Sequence, residues 1–152
     1  MKKILLAIMM ALPLVGMLTS CDEERDVIII EEALPLKTDV LYIVGDATPA
    51  GWNIDDPFKL TKSEENKFIF TFTGHLNTGE FKAPLSTGNW GCNYVMPMTN
   101  GCKINHGGCA EKGFQVIPNG NPDFKWYVEE AGDYILTFDL MNYTIDVKYT
   151  GN

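Results

Sequence analysis

Histidine is nearly absent from this 152-residue sequence: there are two, His75 and His106. Neither stands in a serine or cysteine nucleophile context, which removes the usual hydrolase triads. Basic residues are few as well, twelve against twenty acidic ones, for a formal net charge of −8. A surface of that sign does not track phosphate, so nucleic acid is excluded as a partner, and so is electrostatic binding to anionic lipid. No stretch keeps a helical period over three turns, and no internal repeat or low-complexity segment occurs. Carboxylates are plentiful but not paired for catalysis. Asp55 and Asp56 are adjacent in a polar loop, the pattern of solvated turn formers, whereas glycoside hydrolysis needs two carboxyl groups roughly 5–10 Å apart across a cleft. The chain reads as a non-enzyme with no cofactor and no metal.

One long apolar run is present, at the start. Lys2 and Lys3 precede an uncharged stretch from Ile4 to Met17. It is short for a bilayer span and wrongly flanked for one, so it reads as an export leader. Leu18-Thr19-Ser20-Cys21 follows and resembles the lipobox of bacterial lipoproteins. That resemblance implies acylation of the Cys21 thiol and cleavage just before it. The expected organisation is a lipoprotein signal peptide over 1–20, an acidic tether over 21–38 and one domain over 39–152. The tether opens on Asp22, Glu23, Glu24 and Asp26, a solvated charge cluster that resembles the surface-export signal of Bacteroidota lipoproteins. An aspartate directly after the cysteine would instead mean inner-membrane retention in enteric bacteria. The expected location is the bacterial outer membrane, lipid-anchored and facing the exterior.

The rest is strand and turn. Asp39–Gly45, "DVLYIVG", is a near-continuous apolar run that predicts a strand buried on both faces. Lys67–Thr73 alternates cleanly, with Phe68, Phe70 and Phe72 on one face. In "GEFKAPLSTGNW", Phe81, Ala83 and Leu85 share one face, while Glu80, Lys82 and Pro84 take the other, open one. Asn93–Gly113 is rich in glycine and asparagine and reads as a long ordered loop with one or two short strands. Phe114–Ile117 and Phe124–Glu129 are strands, separated by the turn chemistry of Asn119-Gly120-Asn121-Pro122. Tyr134–Leu140 and Tyr143–Tyr149 alternate on either side of Met141-Asn142, the clearest hairpin in the chain. Short strands at roughly 8–12-residue spacing predict an all-β fold, an antiparallel β-sandwich of the immunoglobulin-like carbohydrate-binding type.

Three cysteines remain after Cys21: Cys92, Cys102 and Cys109. An exported chain permits disulfides, and the odd count leaves one thiol over. Cys102, His106 and Cys109 are spaced closely enough to suggest zinc, but structural zinc wants four ligands in paired motifs. A disulfide such as Cys102–Cys109 is the stronger reading, with the pairing left open.

Aromatic residues carry the functional signal. Trp126 lies inside an alternating strand, where core packing is the better reading. Trp52 and Trp90 each sit between glycine and asparagine in a polar loop. Exposed there, an indole offers a flat apolar face to the axial C–H groups of a pyranose. The sugar's hydroxyl rim then needs donors and acceptors, which a lysine such as Lys82 and an asparagine amide supply. Pro84 cannot donate to a ladder and marks a sheet edge.

These stretches, "LYIVGDATPAGWNI", "FIFTFTGHLNTGEFK", "STGNW" and "KWYVEEAGDYILTFDLMNYTI", together resemble one carbohydrate-binding unit of the SusE/SusF outer-membrane lipoproteins of Bacteroidota, over about Asp39 to Lys148. The resemblance implies a surface-exposed, non-catalytic domain that binds a polysaccharide, starch or a related α-glucan. It implies Trp52, Lys82 and Trp90 as site residues, Asn89 and Asn93 as candidate amides, and Trp126 as a further aromatic. It also implies neighbours: an outer-membrane glycan importer and other surface glycan-binding proteins. Family members string several such units together, whereas this sequence has one. The alternative is a structural or interaction subunit of such an uptake complex, with no glycan binding of its own.

Overall fold

The computed structural model describes residues 35–151. The expected leader over 1–20, Cys21 and most of the tether lie outside these residues. Thirteen strands follow in chain order: β1 (Tyr42–Ile43), β2 (Phe58–Lys59), β3 (Thr61–Lys62), β4 (Ile69–Leu76), β5 (Gly79–Phe81), β6 (Ala83–Pro84), β7 (Tyr94–Pro97), β8 (Cys102–Asn105), β9 (Gly108–Cys109), β10 (Phe114–Ile117), β11 (Trp126–Val128), β12 (Gly132–Asp139) and β13 (Thr144–Gly151).

The closing hairpin builds the first layer. β12 pairs antiparallel with β13 on one side and β4 on the other, and β3 adds to β4. Asp139 makes the tight turn: its Oδ1 accepts the N–H groups of Met141 and Asn142 at 2.9 and 3.1 Å. Along these strands the period-two pattern holds. Phe70, Phe72, Tyr134, Leu136, Phe138 and Ile145 are fully buried.

The opposite layer is the sheet β5-β11-β8-β9. It turns Phe81, Trp126, Val128, Cys102 and Ile104 into the same core. Trp126 stacks on Phe81 at 5.2 Å within its own sheet and meets Phe138 of the first layer edge-on at 5.8 Å. A third sheet, β10-β7-β6, is joined to the first layer where Phe114 N–H donates to the Tyr143 carbonyl and Ile145 N–H to that of Lys112. The fold is an all-β sandwich built from several sheets whose strand pairs are antiparallel but for one.

Three details differ from expectation. β8 and β11 run parallel, because the long 106–125 connection lets the chain cross over rather than turn back. Asn93–Gly113 holds three strands, not one or two; Tyr94–Pro97 is buried at every position, so it shows no alternation to read. Finally, Lys82 and Pro84 do not lie on an open face. Both are buried, because later parts of the chain fold over them.

Gly45 shows how closely neighbouring strand segments approach, beside the Val44–Lys82 pair. A Cβ there would lie 2.1 Å from the Glu80 carbonyl oxygen and 2.5 Å from Phe81 Cα, both backbone atoms that have no rotamer to give. Its φ of +149° also disfavours any L side chain. Gly45→Ala is expected to destabilise the domain by about 3 kcal/mol or more, read as a lowered midpoint in urea unfolding; a change within about 0.5 kcal/mol would show that the strand contact yields.

Candidate functional site

Two loops meet where Gly88 N–H donates to the Ile54 carbonyl at 2.8 Å. The first opens in a knot of backbone bonds. Gly45 N–H donates to Gly51 O, Gly51 N–H to Thr48 O, and the Thr48 hydroxyl to Gly45 O. That knot delivers Trp52. The second loop turns on Asn89, whose Oδ1 accepts Gly91 N–H at 2.8 Å. It is tied from below by Tyr94, whose hydroxyl donates to the Trp90 carbonyl at 2.9 Å.

The result brings two indoles side by side. Trp52 is 41% exposed and Trp90 45%. Their ring centroids are 6.3 Å apart and their planes inclined by 47°. The pair forms an open angle rather than a flat shelf or a closed stack.

Beneath the rings lies charge. The Lys82 side chain is only 7% exposed. Its Nζ donates to Asp123 Oδ1 at 2.7 Å and sits 4.2 Å from the Tyr94 ring centroid and 5.4 Å from that of Trp90. Such placement over π faces stabilises a partly desolvated ammonium. Asp123 also takes Lys125: Oδ2 accepts from its Nζ at 2.7 Å, and that ammonium lies 6.0 Å from the Trp52 centroid. One carboxylate therefore spaces two cations, one toward each indole. Burial pushes the Asp123 carboxyl up, but the hydrogen bonds and charges of Lys125 and Lys82 outweigh it, and the net shift is downward. Burial likewise raises the Tyr94 phenol, with the Cys92 thiol adding to the effect.

The other candidates take different places. Asn89 and Asn93 are exposed, and each spends its amide oxygen on backbone: Asn93 Oδ1 accepts Asn119 N–H at 3.2 Å. What they can offer outward is the amide N–H₂. Trp126 is fully buried between Phe81 and Phe138 and has no face to give a ligand. Asp123, Lys125 and Tyr94 went unremarked in the sequence as site residues. Asp123 is 41 positions from Lys82, and no local pattern links them. Gly120 is part of the same assembly: a Cβ there would press within 2.8 Å of the Tyr94 ring, at a left-handed φ of +66°.

Chemically, two angled apolar faces with an ammonium group close to each ring suit a neutral ring that carries hydroxyls on its rim. The family described as SusF, first starch-specific CBM (carbohydrate-binding module), matches residues 37–149, well over half of the chain. The chain belongs to that family. No curated protein and no solved structure matches it. The module is thus a non-catalytic, starch-binding domain, and the reading as an interaction subunit without glycan binding is not favoured.

The charged floor is testable apart from any ligand. Asp123→Asn leaves the buried Lys82 ammonium without its counter-charge. The expected loss at pH 7 is about 1–2 kcal/mol, below the 3–5 kcal/mol of a fully buried pair because Asp123 is itself half-exposed. Since the folded carboxyl titrates below its ordinary 3.8, its contribution is fully present above that pH and is lost as pH falls beneath it. Urea unfolding at pH 7 and pH 3 should show the gap between the two proteins narrowing in acid; a gap as wide at pH 3 as at pH 7 would mean the substitution acts by shape, not charge.

Proposed function

We propose that the module holds an α-glucan chain across Trp52 and Trp90, with Lys82, Lys125 and the amides of Asn89 and Asn93 reaching the sugar hydroxyls. The observation that carries this is the angle between the two exposed rings. An α-1,4-linked glucan bends along its length, so successive pyranose faces are inclined to one another, as the indole planes are. A β-1,4-linked chain is flat and suits coplanar rings. Asp123 serves as the spacer that keeps one ammonium group beside each indole. Trp126 acts from within, as core.

The leader and Cys21 support a lipid-anchored protein of the outer membrane, facing outward. Two or more acyl chains suffice for a stable anchor. Among the described residues, no helix is long and apolar enough to cross a membrane. Held there, the module raises the concentration of polymer beside a glycan importer and its companion surface glycan-binding proteins. Many copies on one surface give a multivalent hold on a multivalent chain.

In native gels containing amylopectin the protein should be retarded. Trp90→Ala should weaken binding tenfold or more, about 1.4 kcal/mol, while Trp126→Phe should migrate as the parent does. Retardation that survives Trp90→Ala would remove the stacking role, and no retardation on any α-glucan would remove the ligand assignment. Cys21→Ser should move the protein from the membrane fraction to the soluble one and abolish surface protease accessibility on intact cells; unchanged membrane association would reject the lipid anchor.

A further inference from the structure

Behind the site, the fold brings two cysteines into contact. Cys102 begins β8 and Cys109 ends β9. Ile104 pairs directly opposite Cys109, so Cys102, two residues along β8, shares that face and meets Cys109 diagonally. Their Sγ atoms are 3.6 Å apart. Both thiols point at one acceptor, the Glu111 carbonyl, at 3.9 and 3.0 Å. The thiols therefore already face each other from adjacent strands, and closing to a bond of about 2.05 Å asks for a shift of about 1.5 Å.

The neighbouring groups leave this pair to itself. Cys92 packs elsewhere, against the Tyr94, Met96 and Ile117 cluster, with its thiol toward Ser86 O at 3.8 Å. His106 lies between the two cysteines in sequence but not in space as a third ligand. Its ring stacks on Tyr149 at 3.8 Å, and its nitrogens face Glu130 and the Ala131 carbonyl. Among the described residues no group of three or more metal-type ligands is gathered.

We propose that Cys102 and Cys109 form a disulfide in the exported protein, leaving Cys92 as a free thiol. The need for an oxidising compartment rests on the export reading above. The oxidant is a disulfide, either that of a dithiol oxidase or of glutathione. One cysteine loses its proton and attacks a sulfur of that disulfide, expelling the other sulfur as a thiolate and leaving a mixed disulfide. The second cysteine, deprotonated in turn, displaces the remaining oxidant sulfur. The two cysteines are oxidised by two electrons, the oxidant becomes two thiols, and the two protons pass to it. In the folded module, burial pushes the Cys109 thiol up to about 12, so exchange there is slow. The bond closes during folding, while the 102–109 segment is still open to solvent.

The bridge would brace the sugar site from behind. Cys102 stands in register with Trp126 across the parallel β8·β11 pair. Just before it, Asn100 Oδ1 accepts the Lys125 N–H at 3.0 Å, and Gly101 N–H donates to the Lys125 carbonyl at 2.8 Å. Fixing β8 to β9 fixes the strand end that holds Lys125, and through it the cation beside Trp52.

The test is peptide mapping without reductant. Full-length protein extracted from cell membranes is alkylated in denaturant and digested with trypsin, which cuts after Lys82, Lys103 and Lys112. Ala83–Lys103 and Ile104–Lys112 should emerge joined, lighter by two hydrogen atoms than the separate peptides, with the alkyl group on Cys92. A second sample is made reduced, unfolded and refolded with glutathione and glutathione disulfide; the same joined pair is expected. Alkyl groups on all three cysteines in both samples, or a bridge through Cys92, would overturn the pairing and leave the export reading untouched. A bridge in the refolded sample alone would fault the export reading and overturn the disulfide for the protein in the cell.

Discussion

A lysine that is 7% exposed must have its charge answered, and the arrangement of the candidate site follows from how this one is. Lys82 enters from the strand segment that also pairs with Val44, so its stem is fixed by the sandwich. Its ammonium reaches an Asp123 oxygen and the faces of Tyr94 and Trp90. Each partner is then committed. Tyr94 is held flat beneath the cation and uses its hydroxyl to grip the Trp90 carbonyl. Asp123 turns its second oxygen to Lys125. The indole pair stays open to solvent because the polar layer beneath it is already satisfied.

The hydrophobic core explains why that polar layer can exist. Phe81, Ala83 and Trp126 lie in the core, while Lys82 and Lys125, next to them in sequence, reach the candidate site. Strand alternation thus separates two environments by one residue. Phe81 packs on Trp126 in a dry interior, and Lys82 next to it lies in a charged recess. Rigidity on the core side is what allows two loops, which carry little regular structure, to place rings at a defined angle.

Long, alternating elements were legible. The Phe70–Phe72 strand and the Tyr134–Tyr149 hairpin have a buried face and a wetter one, and period two states that directly. The exposure of Trp52 and Trp90 was also legible, because Gly and Asn on either side offer no apolar company. What was not legible is burial on both sides. Tyr94–Pro97 has no polar face to alternate with, and Lys82 looked open because nothing nearby in sequence covers it. The segment that does, around Asp123, arrives from a turn about forty residues later.

By itself, then, the sequence determined an acidic, non-catalytic β-domain with two bare indoles and a lysine close behind one of them, since these follow from residue type and local period. Only the tertiary structure decided that the indoles meet at 47°, that Asp123 and Lys125 join Lys82, and that two of three thiols touch. Those facts depend on which loops and strand ends the sandwich brings together. Such long-range contacts are chosen by packing and charge pairing across the fold, not by the preferences of neighbouring residues.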